Sequence, residues 1–162
     1  MSGSTVLICG RKVGVTEKID VHVDNSIDVY EFDTYSRGYH AYMDEWPKPL
    51  VGEVLFCEAE ADNWHDRNAV AVIKDCIVSR RIVGHVPLIL SEVFKKFLQL
   101  PGSKVTFTIQ GRRVNRGAGY GLEIPVRASL SGHAKAVAWA KQKITSIFQE
   151  HDARVQRCNK NI

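Results

Sequence analysis

Two stretches decide how this chain folds: NWHDRNAVAV at residues 63–72 and IVGHVP at residues 82–87. The first places a polar turn before an alternating apolar strand, and the second ends a β-branched strand on a Gly-His pair followed by proline. Alternation of apolar and polar residues between turn signals is typical of half-buried strands. Polar residues that open or close a strand are held rigidly by it, so they are well placed to bind a ligand. We therefore expect the two stretches to face each other across a sheet, with a binding site where their polar ends meet.

The composition is that of a soluble, single-domain protein. The chain has 162 residues, of which 44% are hydrophobic and 25% are charged, and these values are ordinary for globular domains. No apolar run approaches the roughly 18 residues of a membrane-spanning helix, and the N-terminus lacks the apolar region of a signal peptide. We expect an intracellular protein, nuclear or cytoplasmic, whose four scattered cysteines remain reduced.

Charge is distributed unevenly along the chain. Residues 1–75 carry 7 Lys and Arg against 14 Asp and Glu, a balance of −7, whereas residues 76–162 carry 15 against 4, a balance of +11. A basic half of this kind indicates a surface that can meet phosphate. The alternative is that the two halves interleave in space and their charges cancel.

Turn signals divide the chain into short elements. Pro87 suits the first turn of a helix over 87–98, whose apolar residues, Ile89 among them, form one stripe. A long helix over 134–156, followed by a frayed tail from residue 154, is expected to dock on the sheet; the alternative is that it binds a partner or a second copy. The other predicted elements are an arm over 1–28 with a possible edge strand at 19–24, strands at 29–35, 52–60, 104–110 and 121–130, and a hairpin of 70–74 with 76–86 whose tip is 75–76 or 79–81.

Residues 37–42, RGYHAY, combine a guanidinium, two tyrosines and a histidine. Aromatic rings next to cations form stacking platforms for nucleic-acid bases, with little dependence on sequence. If this segment is a strand, Tyr39 and His40 face opposite sides of it, so only half of the set reaches one site. We expect one of the tyrosines to fill the core, and Trp46 to be a hydrophobic plug.

The most basic loop is predicted at residues 111–121, where Arg112, Arg113 and Arg116 stand among four glycines. Glycine lets the backbone approach a phosphate chain closely, and guanidinium groups bind its oxygens. The loop lacks the Gly-Lys-Ser/Thr of a Walker motif. Together with Arg80 and Arg81, these arginines are expected to follow the phosphates of a bound strand; the alternative is a flexible, solvated hairpin tip.

Catalysis is not indicated by any motif. No nucleophile elbow of the Gly-x-Ser-x-Gly kind occurs. A zinc site from Cys57, His65, Cys76 and His85 is conceivable, but its spacing matches no known zinc module. We therefore expect a non-catalytic protein without a metal or other cofactor, in which histidines act as pH-sensitive hydrogen-bond donors.

The stretches quoted above resemble the HIRAN domain. The resemblance rests on Asp-x-Asn-Ala followed by alternating valines, on Val-Gly-His-Val-Pro about a dozen residues later, and on RGYHAY and GLEIPV at 121–126. HIRAN domains occur in helicase-like chromatin-remodelling and fork-remodelling translocases, and as stand-alone modules. The resemblance covers residues 29–131 and implies a mainly β fold with helices (α+β): a small OB-like β-barrel with one helix in the barrel connection. The arm 1–28 and a C-terminal helix and tail, 132–162, flank it.

The resemblance also implies a ligand. Fork-remodelling members capture the 3′-hydroxyl end of single-stranded DNA, with aromatic residues stacked on the terminal bases and the motif aspartate receiving the hydroxyl. On the matching positions that role falls to Asp66. The chemistry is consistent with this role, since a free hydroxyl can donate to a carboxylate whereas an internal phosphodiester would be repelled. The other matching positions are Arg37, Tyr39, His40, His65, Arg67, Asn68 and His85.

Three positions depart from the fork-remodelling pattern. His65 stands where those members have tyrosine, Leu88 where they have a phosphate-binding lysine, and Leu130 where they have an aromatic residue. Asp66 and Asn68 also have a purely local interpretation, since short polar side chains fix turns by binding nearby N–H groups. Two functions follow: a module that binds a single-stranded DNA end in DNA repair, replication or chromatin, or a protein-interaction scaffold that keeps the barrel without DNA-end binding and docks a partner on its C-terminal helix.

Overall fold

A computed structural model describes residues 7–8, 11–12, 25–46, 48–117 and 119–160. The possible edge strand at 19–24 lies outside these residues. The elements in chain order are β1 (Leu7–Ile8), β2 (Arg11–Lys12), β3 (Ile27–Ser36), α1 (Tyr39–Tyr42), β4 (Val54–Ala59), β5 (Val70–Cys76), β6 (Ser79–His85), α2 (Leu88–Leu98), β7 (Lys104–Ile109), β8 (Val114–Asn115), β9 (Leu122–His133) and α3 (Ala134–Lys160).

A seven-stranded antiparallel sheet organises the fold. Its strand order is β3-β9-β7-β4-β5-β6, with β8 paired to β9, while β1 and β2 pair with each other. The alternation predicted for β7 is present, since Val105, Phe107 and Ile109 are buried while their neighbours are not. Successive side chains of a strand point to opposite faces, so this alternation places one face of the sheet in the core.

The sheet is not a closed barrel. Its two edge strands, β3 and β6, meet in an isolated bridge between Arg37 and His85, where each backbone N–H donates to the other residue's carbonyl at 2.9 and 3.0 Å. The rest of the two edges forms no ladder within the described residues. The mainly β class with helices is therefore confirmed, whereas the implied barrel is not.

The helix α2 lies in the connection between β6 and β7, as expected. Leu90, Val93, Phe94 and Phe97 are buried, so the helix presents one apolar stripe to the core. Ile89 was expected in that stripe but is 48% exposed. It lies in the first turn of the helix, where the side chain faces a surface cavity instead of the sheet.

The helix α3 docks on the sheet through its first half. Val137, Ala140 and Ile144 are buried, and Ile147 and Phe148 pack against the same core. The helix follows β9 without a loop, because β9 continues to His133 and not only to residue 130. The expectation of a frayed tail is wrong for residues 154–160, which remain helical. None of the described helices has the length and apolar character to cross a membrane.

Two further sequence predictions are corrected. Residues 39–42 form the short helix α1 and not a strand, because Gly38 has a left-handed φ of 81° that turns the chain out of β3. The tip of the β5–β6 hairpin is formed by Ile77 and Val78, since the residues at 75–76 and 79–81 all belong to the paired strands. These two apolar residues are fully exposed.

Candidate nucleic-acid interface

A cavity of about 420 Å³ lies where the bridged ends of β3 and β6 meet the loop between β4 and β5. We call it the first cavity. Four residues predicted for the site line it together: Arg37, His40, Asp66 and His85. The polar ends of the two quoted stretches, at Asp66 and His85, therefore lie at one cavity. Its remaining lining residues are Gly38, Asn63, Ala69, Val70, Val86, Leu88, Ser91, Gly119 and Tyr120.

The β4–β5 loop is fixed by Asn63, which the sequence analysis did not single out. Its Oδ1 accepts the backbone N–H groups of His65 and Asp66 at 3.1 and 3.0 Å, and its Nδ2 donates to Glu60 Oε2 at 3.1 Å. The Asn68 side chain is exposed, and Asn68 contributes its backbone N–H instead. An asparagine three residues before a motif aspartate is a recognisable turn signal. The sequence does not show, however, whether the side chain of Asn63 or that of Asn68 fixes the loop.

Asp66 fixes its own loop through only one of its two carboxylate oxygens. Its Oδ1 accepts the N–H of Asn68 at 2.9 Å, which holds the loop. In the described part of the chain its second oxygen, Oδ2, has no hydrogen-bond partner, and the side chain is half-buried at the wall of the first cavity. One carboxylate oxygen is therefore structural, and the other is available to a donor.

His85 is held by a small polar network. Its Nε2 lies 2.9 Å from Glu60 Oε2, and its Nδ1 lies 3.5 Å from the Tyr42 hydroxyl. Burial, followed by the negative charge of Glu60, raises the pKa of Tyr42, so its phenol keeps the proton. Since both ring nitrogens face protein partners, His85 shapes the cavity wall. Glu60 was missed, because nothing in its local sequence shows that it lies beside a histidine 25 positions away.

The aromatic residues are arranged differently from the prediction. Tyr39 is only 1% exposed and packs edge-on against Trp46, with ring centroids 6.0 Å apart. Both fill the core, as expected for one tyrosine and for Trp46, and the role of Tyr39 in base stacking is therefore corrected. His65 lies beside Trp64, with ring centroids 3.4 Å apart, on a shallow neighbouring depression outside the first cavity. Trp64 is 82% exposed and was overlooked as a stacking surface.

The three arginines of residues 111–121 go to different places. Arg112 is exposed, and the guanidinium of Arg113 lies 5.7 Å from the centre of the Tyr39 ring, away from the first cavity. Arg116 lies at a second cavity of about 470 Å³, beside β3 and α3. Its Nε donates to Glu123 Oε2 at 2.8 Å, and this hydrogen bond raises the pKa of the Arg116 guanidinium. The segment also contains β8, so it is not wholly a flexible tip.

The other predicted phosphate contacts are paired with acids. Arg80 pairs with Glu58, and Arg81 Nη1 lies 2.8 Å from Glu45 Oε2, all of them on the surface. These pairs join the basic half of the sequence to the acidic half, so the charges interleave here. Arg67 is exposed, and its backbone carbonyl accepts a hydrogen bond from Lys95.

The three departures from the family pattern lie in different environments. His65 is on the exposed loop, Leu88 is 65% exposed and lines both cavities, and Leu130 is fully buried in the core. The residues of the conceivable zinc site do not come together: across the described ranges no three His, Cys, Asp or Glu residues are placed to hold a metal ion. Cys57 is buried, which raises the pKa of its thiol.

The sequence model of the HIRAN domain matches residues 27–135 of this chain, about two thirds of its length. The chain belongs to the HIRAN domain family. Domains of this family are known as DNA-binding modules. Among solved structures, the HIRAN domain of human HLTF is similar, with a TM-score of 0.54 and 14% sequence identity over 72% of this chain and 88% of that one; this likeness concerns the fold. No curated protein matches the chain.

Proposed function

We propose that this HIRAN protein binds the 3′-hydroxyl end of single-stranded DNA in the first cavity, without catalysing a reaction. The observation that carries the proposal is the carboxylate of Asp66, which has one oxygen fixed by its own loop and the other without a partner at the cavity wall. A chain end offers an O–H donor to that oxygen. An internal phosphodiester or a 3′-phosphate would bring negative charge against it and be repelled.

The surroundings of Asp66 support a nucleotide as the ligand. Arg37 supplies a cation to the same cavity, and no ion pair neutralises it within the described residues. Trp64, two residues before Asp66, presents an exposed ring on which a base can stack. His40 also lines the first cavity. The first cavity thus offers an acceptor for the hydroxyl and a cation for phosphate, and the neighbouring depression offers an aromatic surface for a base.

Fluorescence anisotropy with paired oligonucleotides tests end capture. An oligonucleotide with a free 3′-hydroxyl is expected to bind about tenfold more tightly than the same strand with a 3′-phosphate, the size of one charge-assisted hydrogen bond. Asp66→Asn should lose most of this preference while keeping the loop, because the amide oxygen still accepts the Asn68 N–H. Asp62→Asn, an exposed change in the same loop, is the matched control. Equal affinity of the wild type for both strands rejects the proposal.

The proposed activity suits DNA repair, replication or chromatin remodelling, and therefore a nuclear protein. It needs no cofactor, since recognition rests on hydrogen bonds, stacking and charge. A fluorescent fusion protein should accumulate in the nucleus and gather at sites of induced strand breakage. A fusion that stays evenly distributed after damage contradicts this part of the proposal.

A protein-interaction scaffold is the second candidate, and α3 is the observation in its favour. Every described side chain from Gln149 to Asn159 is exposed, Val155 among them at 45%. A chain truncated after Asp152 tests it, because this cut spares the buried residues Val137, Ala140 and Ile144. The scaffold function predicts no oligonucleotide binding at low salt and loss of a partner on truncation. The DNA-end function predicts that the truncated protein still binds the 3′-hydroxyl strand.

A further inference from the structure

The second cavity adjoins the first. Three residues, Arg37, Leu88 and Tyr120, line both of them and form a shared wall. The second cavity is walled on its far side by Phe148 and His151 of α3, which lie beyond the residues matched by the HIRAN domain. A strand that ends in the first cavity can therefore continue into the second across the shared wall.

Arg116 is held in a fixed orientation at the second cavity. Its Nε donates to Glu123 Oε2 at 2.8 Å, and its guanidinium carbon lies 3.7 Å from the centre of the Tyr35 ring, a stacked cation–π contact. The side chain is nevertheless 43% exposed. Since Glu123 takes the Nε–H, the two Nη groups remain, and they are the fork that binds two oxygens of one phosphate.

Glu123 explains why Arg116 is fixed. Its side chain is only 1% exposed, and its other oxygen, Oε1, has no hydrogen-bond partner in the described structure. A buried carboxylate is costly unless it is paired, so Glu123 binds the arginine strongly and limits its movement. Glu123 thereby positions the guanidinium.

The shared wall carries net positive charge. The guanidinium carbons of Arg37 and Arg116 lie 5.2 and 5.8 Å from the centre of the Tyr120 ring, so two cations flank one aromatic side chain. Glu123 compensates one of them. Of the other acids that line the second cavity, Asp33 pairs with Arg127 at 3.1 Å, and the side chains of Asp33 and Asp152 are 72% and 76% exposed, which places them towards its rim. These carboxylates disfavour phosphate at the rim and leave the shared wall as the favourable place for it.

We propose that the second cavity takes the nucleotide that precedes the 3′-terminal one, and that Arg116 binds the phosphate joining these two nucleotides. This inference rests on the proposed capture of the 3′ end in the first cavity. The phosphate passes over Tyr120 between the two guanidinium groups, and the preceding base enters the space walled by Phe148, Leu88 and Ile89. Glu123 acts as a positioning residue through Arg116.

Site-specific neutralisation of one phosphate tests the proposal. A single methylphosphonate, which is uncharged, replaces either the last linkage of a 3′-hydroxyl oligonucleotide or a linkage six nucleotides further from the end. The wild type is expected to lose about tenfold in affinity for the first and little for the second. Arg116→Ala should bind the unmodified strand about tenfold more weakly and be insensitive to the last linkage.

Two matched variants separate positioning from charge. Glu123→Gln keeps Arg116 but weakens its anchor, so the penalty for the last methylphosphonate should shrink to about threefold, with the 3′-hydroxyl preference retained. Arg112→Ala removes an exposed arginine of the same segment and should keep the full tenfold penalty. If a methylphosphonate at the last linkage weakens binding to Arg116→Ala as much as binding to the wild type, the proposed role of Arg116 is wrong.

The wild-type comparison needs no variant and decides between the two proposals. If the wild type prefers the 3′-hydroxyl strand but is equally sensitive to both methylphosphonates, end capture stands and this inference is wrong. If it shows no preference for the hydroxyl, end capture fails, and the assignment of the second cavity to the preceding nucleotide fails with it.

Discussion

The β5–β6 hairpin and the segment from Gly111 to Gly121 look alike in sequence, since each contains arginines next to a strand. In the structure each also forms ion pairs with glutamates, but the glutamates differ. Glu58 and Glu45, the partners in the hairpin, are 49% and 50% exposed, whereas Glu123 is 1% exposed. Exposed pairs contribute at most about 1 kcal/mol and leave both side chains mobile. The burial of the acid, and not the number of arginines, therefore distinguishes an arginine held in one orientation from one that stays mobile.

The hairpin contributes to the site through its far end and not through its arginines. A Cβ on Gly84 would lie 2.4 Å from Ser36 Oγ and 2.8 Å from the carbonyl of Arg37. Gly84→Ala is therefore expected to lower the free energy of unfolding by about 1–3 kcal/mol and to abolish DNA binding. Urea denaturation measures the first effect. Gly111→Ala, whose Cβ would meet only the ring of Pro125 at 3.2 Å, should cost less. Equal costs for the two variants would show that the bridged strand ends tolerate movement.

Salt titration compares the two groups of arginines directly. For single-stranded DNA each lost phosphate contact reduces the slope of log affinity against log salt by about 0.7. Arg116→Ala should show this reduction together with a loss of about tenfold in affinity. Arg81→Ala should change neither, because Arg81 lines neither of the two cavities. A similar change in both would mean that the hairpin also contacts phosphate.

Glu53 is intermediate between the two kinds of glutamate. Burial raises its pKa, but hydrogen bonds from Lys74, the Leu50 N–H and the Trp46 indole, with the charge of Lys74, lower it below its ordinary value of 4.5. A depressed pKa stabilises the fold above the unfolded value, and the stability is lost as the pH falls below 4.5. Thermal melts should show this loss of stability in the wild type. In Glu53→Gln the stability should fall less steeply at acid pH, and the difference from the wild type should be no more than about 1 kcal/mol. Lys74→Met should keep part of this acid-induced loss of stability, because the Leu50 N–H and the Trp46 indole still donate to Glu53.

The smallest effect is expected at the hairpin tip. Ile77 and Val78 contact little, so changing both to serine should alter the free energy of unfolding by less than about 0.5 kcal/mol and leave oligonucleotide binding unchanged. The same denaturation and anisotropy measurements check it. A loss of binding would show that the tip touches DNA, which the arrangement of the two cavities does not require.

Much of the fold follows from local patterns. Alternation located β7, and an apolar stripe located α2, because strands and helices repeat with fixed periods. The turn into α1 did not follow, since a left-handed φ at Gly38 redirects a segment whose residues also suit a strand. Ile89 fits the stripe by spacing, but the first turn of α2 extends past the sheet, and spacing does not show where the sheet ends.

The sequence predicted which residues of the candidate site lie close together only where neighbouring elements of the chain carry them. Asp66 lies in the loop that leads into β5, and His85 ends β6, which pairs with β5, so their proximity followed from the hairpin. The contacts of Glu60 with His85 and of Glu123 with Arg116 depend on how separate segments pack in space. No local sequence pattern predicts these contacts. The sequence predicted that one of Tyr39 and Tyr42 is buried but not which one, because a tyrosine beside an arginine looks the same in a core and in a stacking platform.

The isolated bridge between Arg37 and His85 has a consequence for how occupancy of the first cavity can be observed. Within the described residues, its two backbone hydrogen bonds are the only ones that join the edge strands β3 and β6, so their amide hydrogens exchange with solvent when this bridge opens locally. A strand end seated against Arg37 and the wall formed by His85 opposes that opening. Deuterium uptake at these two amides therefore provides an internal gauge of ligand binding, independent of any label on the DNA.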